Sequence, residues 1–221
     1  MAVKEIITNL EAFNDRADEV DCRKDNQLVR ETTLDLKHTI RENNLVALTA
    51  PQIGVNKRII CINFKGDIRT FINPAITEVK GFQLHREKCP SIPGKEYIRP
   101  RYPEISVMYQ TPLGKIESRK FMGLAAFMLQ YAIDILDGLV LSDIGLEIDE
   151  LWDKATDEER DQVLSAYLES LDIKKKSIDI EIDKDEDAKQ LKEAINFMES
   201  VAKGETKVET IRVDKDGNPI E

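Results

Sequence analysis

The sequence predicts an α+β fold, and three observations carry that expectation: two β-rich hairpin patterns, one segment that is apolar on nearly every side, and a sharp division of charge along the chain. With 221 residues, 41% of them hydrophobic and 33% charged, the chain can bury a substantial core and does not have the composition of a disordered or collagen-like polymer. Residues 142–221 hold 24 Asp and Glu against 12 Lys and Arg, which leaves 18 acids against 20 bases for residues 1–141. The expected organisation is a compact domain over residues 1–145 followed by an acidic α/β extension over residues 146–221.

Each element follows from a local pattern. Gln27 to Asn43 sets Leu28, Leu34, Leu36 and Ile40 among charged helix formers, as a half-buried helix does, and Asn43-Asn44 ends it. Arg58-Ile59-Ile60-Cys61-Ile62-Asn63-Phe64 and Thr70-Phe71-Ile72 flank Lys65-Gly66-Asp67, the spacing of a hairpin. Ile105 to Tyr109 and Lys115-Ile116-Glu117 repeat that pattern around Pro112-Leu113-Gly114. A helix apolar nearly all round is expected from Arg119 to Asp137, with Gly138 as its C-terminal cap, and such a helix must be buried. In the tail, Thr156-Asp157-Glu158-Glu159 reads as a capping box ahead of Val163, Leu164, Tyr167 and Leu168, with Trp152 anchoring the turn. Ser177 to Ile182 alternates apolar and polar residues as a short strand does. Asp185 to Lys203 reads as a helix with Leu191, Ala194, Ile195, Met198 and Val201 on one side; Val208, Ile211 and Val213 add a strand before the turn Asp216-Gly217-Asn218-Pro219 and a frayed end.

The net charge of −10 argues against a general nucleic-acid or anionic-membrane binder, both of which need excess Lys and Arg at the contact surface, and leaves room only for a local basic patch. Lys174-Lys175-Lys176 is read as a solvated strand flank. Three irregularly spaced cysteines, Cys22, Cys61 and Cys89, suit free thiols in a reducing compartment. Phe121 to Leu136, interrupted by Gln130 and Asp134, is shorter than the roughly 20 apolar residues that span a bilayer. A cytoplasmic protein is expected.

Three ordered motifs then carry a family resemblance. Leu45-Val46-Ala47-Leu48-Thr49-Ala50-Pro51-Gln52-Ile53-Gly54 is similar to Gly-x-Gly-x-Ala-Ala-Pro-Gln-Ile-Gly, Glu87-Lys88-Cys89-Pro90-Ser91 to Glu-Gly-Cys-Leu-Ser, and Gln130-Tyr131-Ala132-Ile133-Asp134-Ile135-Leu136-Asp137-Gly138 to Gln-His-Glu-x-Asp-His-Leu-x-Gly. With Ile72-Asn73-Pro74 and Arg99-Pro100 between them, residues from about 15 to 145 resemble the peptide deformylases, which remove the formyl group from the N-terminal methionine of new bacterial-type proteins. The resemblance implies antiparallel sheets around the buried central helix. It also implies an iron or zinc ion held by a loop cysteine and two His at i and i+4 of that helix, with the intervening Glu as general acid/base and the Gln of the first motif helping to stabilise the oxyanion.

In this chain Gln52 and Cys89 stand at their family positions, whereas Tyr131 and Ile135 occupy the two His positions and Ala132 the Glu position. Isoleucine ligates nothing, a neutral tyrosine is a poor substitute for imidazole, and general acid/base assistance typically contributes about 10²–10⁴-fold. Leu45 and Ala47 replace glycines of the first motif, and Lys88 and Pro90 replace Gly and Leu beside the cysteine, restricting backbone approach. The expectation is therefore no catalytic residue, no metal and no cofactor.

Competing readings attach to several of these residues. His85, four before Cys89, offers a rebuilt His-x-x-x-Cys metal site, and Cys89 is either a reactive thiol or a small buried group. Gln52 either presents its amide to a peptide or satisfies polar groups in a closed cleft. Asp134 and Asp137 are read as structural. The leading expectation is a non-catalytic scaffold for protein–protein contacts in a larger assembly; because bacteriophages often carry deformylase-like genes, a virion tail or baseplate subunit is its specific form. The alternatives are a deformylase with a rebuilt metal site and a peptide-binding module without turnover.

Overall fold

The computed structural model of the chain describes residues 2–182, 212–213 and 219–220. The first helix, α1 (Asn26–Glu42), ends at Asn43, and Asn44 takes a positive φ of 51°. Strand β1 (Ala47–Thr49) leads through a 3-10 turn at Pro51–Ile53 into the hairpin of β2 (Ile59–Phe64) and β3 (Asp67–Lys80). Both residues of its two-residue loop, Lys65 and Gly66, have positive φ, 54° and 99°, as a type I′ turn requires.

The next hairpin pairs β4 (Gln83–Cys89) with β5 (Ile92–Arg101), so that only Pro90 and Ser91 separate Cys89 from Ile92. Cys89, which the family resemblance sets in a loop, lies at a hairpin tip; the charged residues and prolines around it hide the β pattern. A third hairpin joins β6 (Glu104–Gln110) to β7 (Ile116–Met122). Strands β1, β2, β3, β6 and β7 form one antiparallel sheet in the order β1-β2-β3-β6-β7.

The central helix, α2, spans Leu124–Leu136, and every residue from Ala126 to Ile133 is buried. It starts later than the Arg119 expected from sequence. Arg119 to Met122 instead finish β7 opposite Val107 to Glu104, with Phe121 pointing inward and Lys120 and Met122 outward. Cross-strand register decides what a short apolar window leaves ambiguous. Beyond α2, the short helix α3 (Leu141–Ile144) precedes β8 (Leu146–Ile148), which pairs with β5 to make a second antiparallel sheet in the order β4-β5-β8.

Alternation along β2 divides the core. Ile60 and Ile62 join the apolar cluster that contains α2, while Ile59 and Cys61 join the cluster on the α1 side, so β2 is buried on both faces.

Helix α4 (Glu150–Lys154) is N-capped by Asp149, and α5 runs from Asp157 to Ile182. The expected capping box is formed: the Thr156 N–H donates to the Glu159 carboxylate at 2.8 Å and the Glu159 N–H to Thr156 Oγ1 at 3.2 Å. The strand expected at Ser177–Ile182 is helix, and Lys174–Lys176 lie on that helix and flank no strand. Once a helix is nucleated, each added residue gains a backbone hydrogen bond, which outweighs a three-residue alternation of isoleucines.

The chain forms two compact units, Met1–Lys175 and Lys176–Glu221; β8, just past residue 145, belongs to the first. In the second, β9 (Arg212–Val213) pairs with β10 (Pro219–Ile220), so the expected frayed end is paired there. The helix expected at Asp185–Lys203, Val208, Ile211 and the turn residues Asp216 to Asn218 lie outside the described residues. No helix among the described residues is long and apolar enough to cross a membrane.

Gly138 closes α2 with a Schellman motif. Its N–H donates to the Ile135 carbonyl at 3.2 Å and the Leu139 N–H to that of Asp134 at 2.9 Å. Its φ is +80°, and a Cβ would stand 3.0 Å from the Asn14 carbonyl oxygen. Gly138→Ala is expected to cost about 1–2 kcal/mol from the left-handed backbone alone, with the Asn14 contact added. The cost reads out as a lower urea midpoint at unchanged slope. Gly94→Ala, at φ +79° in open space, is the smaller-effect control.

Candidate functional site

Gln52 sits on the 3-10 turn directly after β1, which Gly54 closes with a φ of 83°. Its Oε1 accepts from the Thr49 N–H at 3.1 Å and the Thr49 hydroxyl at 3.2 Å. Its Nε2 donates to Ser91 Oγ at 3.1 Å and to Tyr131 Oη at 3.3 Å, with Cys89 Sγ at 3.9 Å. The Tyr131 hydroxyl in turn donates to Cys89 Sγ at 3.1 Å. Gln52, Cys89, Ser91 and Tyr131 are all buried. The structure thus joins the first-motif glutamine, the hairpin-tip cysteine and the helix tyrosine into one hydrogen-bonded cluster.

Both ionisable members of that cluster stay protonated at neutral pH. Burial pushes the Cys89 thiol up, against the opposing pull of the Tyr131 hydroxyl and the Ser91 and Ile92 backbone. Burial, reinforced by Cys89, pushes the Tyr131 phenol well above its ordinary value. Ala132 and Ile135, also on α2, are buried in the surrounding apolar cluster.

A buried ion network holds β4 against α2. The Arg101 side chain, 3% exposed, donates from Nε and Nη2 to the Glu87 carboxylate at 2.5 and 2.7 Å and from Nη1 to Asp134 at 2.5 Å. Burial opposes the Arg101 charge, but Asp134 and Glu87 overcome it and hold the guanidinium pKa above its usual value. At the same C-terminal end of α2, Arg58 Nη1 donates to the Leu136 carbonyl at 3.2 Å and to Asp137 at 2.6 Å. Asp134 and Asp137 are thus ion-pair partners of structural arginines. Neither arginine was singled out from sequence, and Ser91 was noticed only as a motif member.

Beside the cluster lies an apolar cleft of about 400 Å³. Leu45, Val46, Ala47, Leu124, Phe127 and Met128 wall it, and Cys89 and Tyr131 line it where it meets the buried cluster. His85 also lines it, with its ring against Phe127 at 4.3 Å between centroids and 31° between planes. Burial lowers the His85 pKa, with Glu87 opposing and Arg101 adding to the effect. Among the described residues no group of three or more His, Cys, Asp or Glu side chains is placed to hold a metal ion.

Residues 4–147 match the polypeptide deformylase family. The chain belongs to that family. It is 34% identical over 124 residues to the peptide deformylase of Dictyoglomus thermophilum, covering 56% of this chain and 81% of that protein. It is 35% identical over 152 residues to that of Thermomicrobium roseum, covering 65% and 86%. The crystal structure of the Thermotoga maritima peptide deformylase superposes with a TM-score of 0.61 at 26% identity, over 65% of this chain and 97% of that one. A Legionella pneumophila peptide deformylase gives 0.59 at 27% identity, over 68% and 88%. The deformylase fold, α+β with antiparallel sheets and helices, is therefore the fold of this chain.

Two outcomes follow from the site's geometry. Glu87→Ala leaves Arg101 buried with Asp134 as its remaining partner and is expected to cost about 3–5 kcal/mol in urea unfolding. Iodoacetamide at pH 7.5, followed by peptide mass mapping, is expected to modify the partly exposed Cys22 first. Cys61, fully buried with its thiol pushed from 9.0 up to about 11, is slowed about 100-fold relative to an unperturbed thiol by thiolate fraction alone. Cys89 also lags, and its rapid labelling would contradict the protonated cluster.

Proposed function

We propose that this member of the deformylase family binds an extended peptide segment of a protein partner through its apolar cleft and performs no metal-dependent deformylation. The observation that carries the reading is the Tyr131–Cys89–Gln52–Ser91 cluster beside the cleft.

The residues present do not fit the family's metal. A metal held by Cys89 needs at least two further protein ligands, whereas the Ile135 side chain is hydrocarbon and the neutral Tyr131 hydroxyl is a poor ligand already engaged with Cys89 and Gln52. Ala132 supplies no proton carrier. The Gln52 amide is also committed: its oxygen accepts two bonds from Thr49 and its nitrogen serves Ser91 and Tyr131. What remains suited to a ligand is the cleft, flanked by β1, an edge strand that pairs on one side only with β2. An apolar side chain of a bound peptide fills such a cleft.

The names of the relatives favour a second reading, a deformylase whose metal site has been rebuilt. Titrating a formyl-methionyl tripeptide into the full-length protein by calorimetry, with formate release followed in the same mixture, separates the two. The proposal expects binding in about the micromolar range, near −8 kcal/mol, and no formate. Formate release supports the second reading, and absence of both binding and release removes the peptide-binding proposal.

A further inference from the structure

Among the described residues, the cleft contains one half-buried hydrogen-bonding side chain without a protein partner. Glu87 is taken by Arg101, and Arg86 by Asp153 at 2.6 Å and Glu96 at 3.9 Å. Asn44 and Lys88 are exposed at the rim, where water serves them. His85 differs: its ring is held against Phe127, it faces the cleft, and it forms no hydrogen bond within the described residues. Burial keeps it neutral at pH 7, so it carries one N–H donor and one nitrogen acceptor.

We propose that His85 sets the specificity of the cleft, selecting a bound side chain that ends in a hydrogen-bonding group over a hydrocarbon of the same length. The inference rests on the peptide-binding reading above. A hydrocarbon that fills the cleft strips water from the imidazole and returns nothing, leaving polar nitrogens dry. A side-chain amide replaces that water with its own donor and acceptor. The penalty for an unmet buried polar group makes such sites reject analogues that lack the matching group, here by about ten-fold. A purely packing role for His85 predicts the opposite, since Phe127 and its aliphatic neighbours are better matched by hydrocarbon.

The test uses two formylated tripeptides that differ only in the first residue, glutamine or norleucine, titrated into the full-length protein and two variants. The wild type is expected to bind the glutamine peptide about ten-fold more tightly. His85→Leu, which keeps an apolar contact with Phe127, is expected to reverse that preference, and His85→Gln, which keeps a donor and an acceptor, to retain it. Equal binding of the two peptides by the wild type overturns the assignment even if His85→Leu does not fold, as does an unchanged preference in a folded His85→Leu. If neither peptide binds, the peptide-binding reading fails and this assignment with it.

Discussion

One guanidinium joins the sheet that carries Cys89 to the helix that carries Tyr131. Arg101 on β5 reaches Glu87 on the neighbouring strand and Asp134 on α2 from a position almost without solvent. Taking these charges out of water is expensive, and the arrangement holds because the fork of the guanidinium meets one carboxylate with two hydrogen bonds and the other with a third. Its consequence is positional. With β4 pinned to α2, the cysteine at the hairpin tip faces the tyrosine one turn before the end of the helix, and Arg58 secures that end through the Leu136 carbonyl and Asp137.

That scaffold presents a chemistry of hydrogen bonds between neutral groups. Tyr131 reaches Cys89, Gln52 reaches Tyr131 and Ser91, and Thr49 completes the amide oxygen, so each of these buried polar side chains finds a partner. Ala132 and Ile135 extend the apolar packing around it. A closed set of hydrogen bonds is well suited to stiffening one end of a binding cleft and poorly suited to exchanging ligands with a metal or water. In this chain the arginine network and the packed helix set the architecture, and the side chains of the cluster are set upon them.

Much of the fold was legible because its signals are local. Lys65-Gly66 marks a hairpin, Asn43-Asn44 and Gly138 end helices through positive φ, and Thr156 with Glu159 starts one. The errors arose where distant contacts or cooperativity decide. Arg119 to Met122 are strand because they lie opposite β6, Cys89 lies at a hairpin tip because β4 finds β5, and Ser177–Ile182 continues a helix nucleated at Thr156. The site shows the same division. Gln52, Cys89 and Tyr131 could be named from motif positions, but their hydrogen bonds, the partners of Arg101 and the contact of His85 with Phe127 are products of the tertiary fold.

In the proposed function, the hydrogen bonds at Cys89 take the place of the family's metal. Elemental analysis of the full-length protein, purified anaerobically without a tag, beside a Tyr131→His, Ala132→Glu, Ile135→His variant, is the decisive measurement. No stoichiometric iron or zinc is expected in the native chain and about one equivalent in the variant, where Cys89 gains two imidazole partners. Near-stoichiometric metal in the native chain, lost when Cys89 is changed to Ser, would contradict the proposed function.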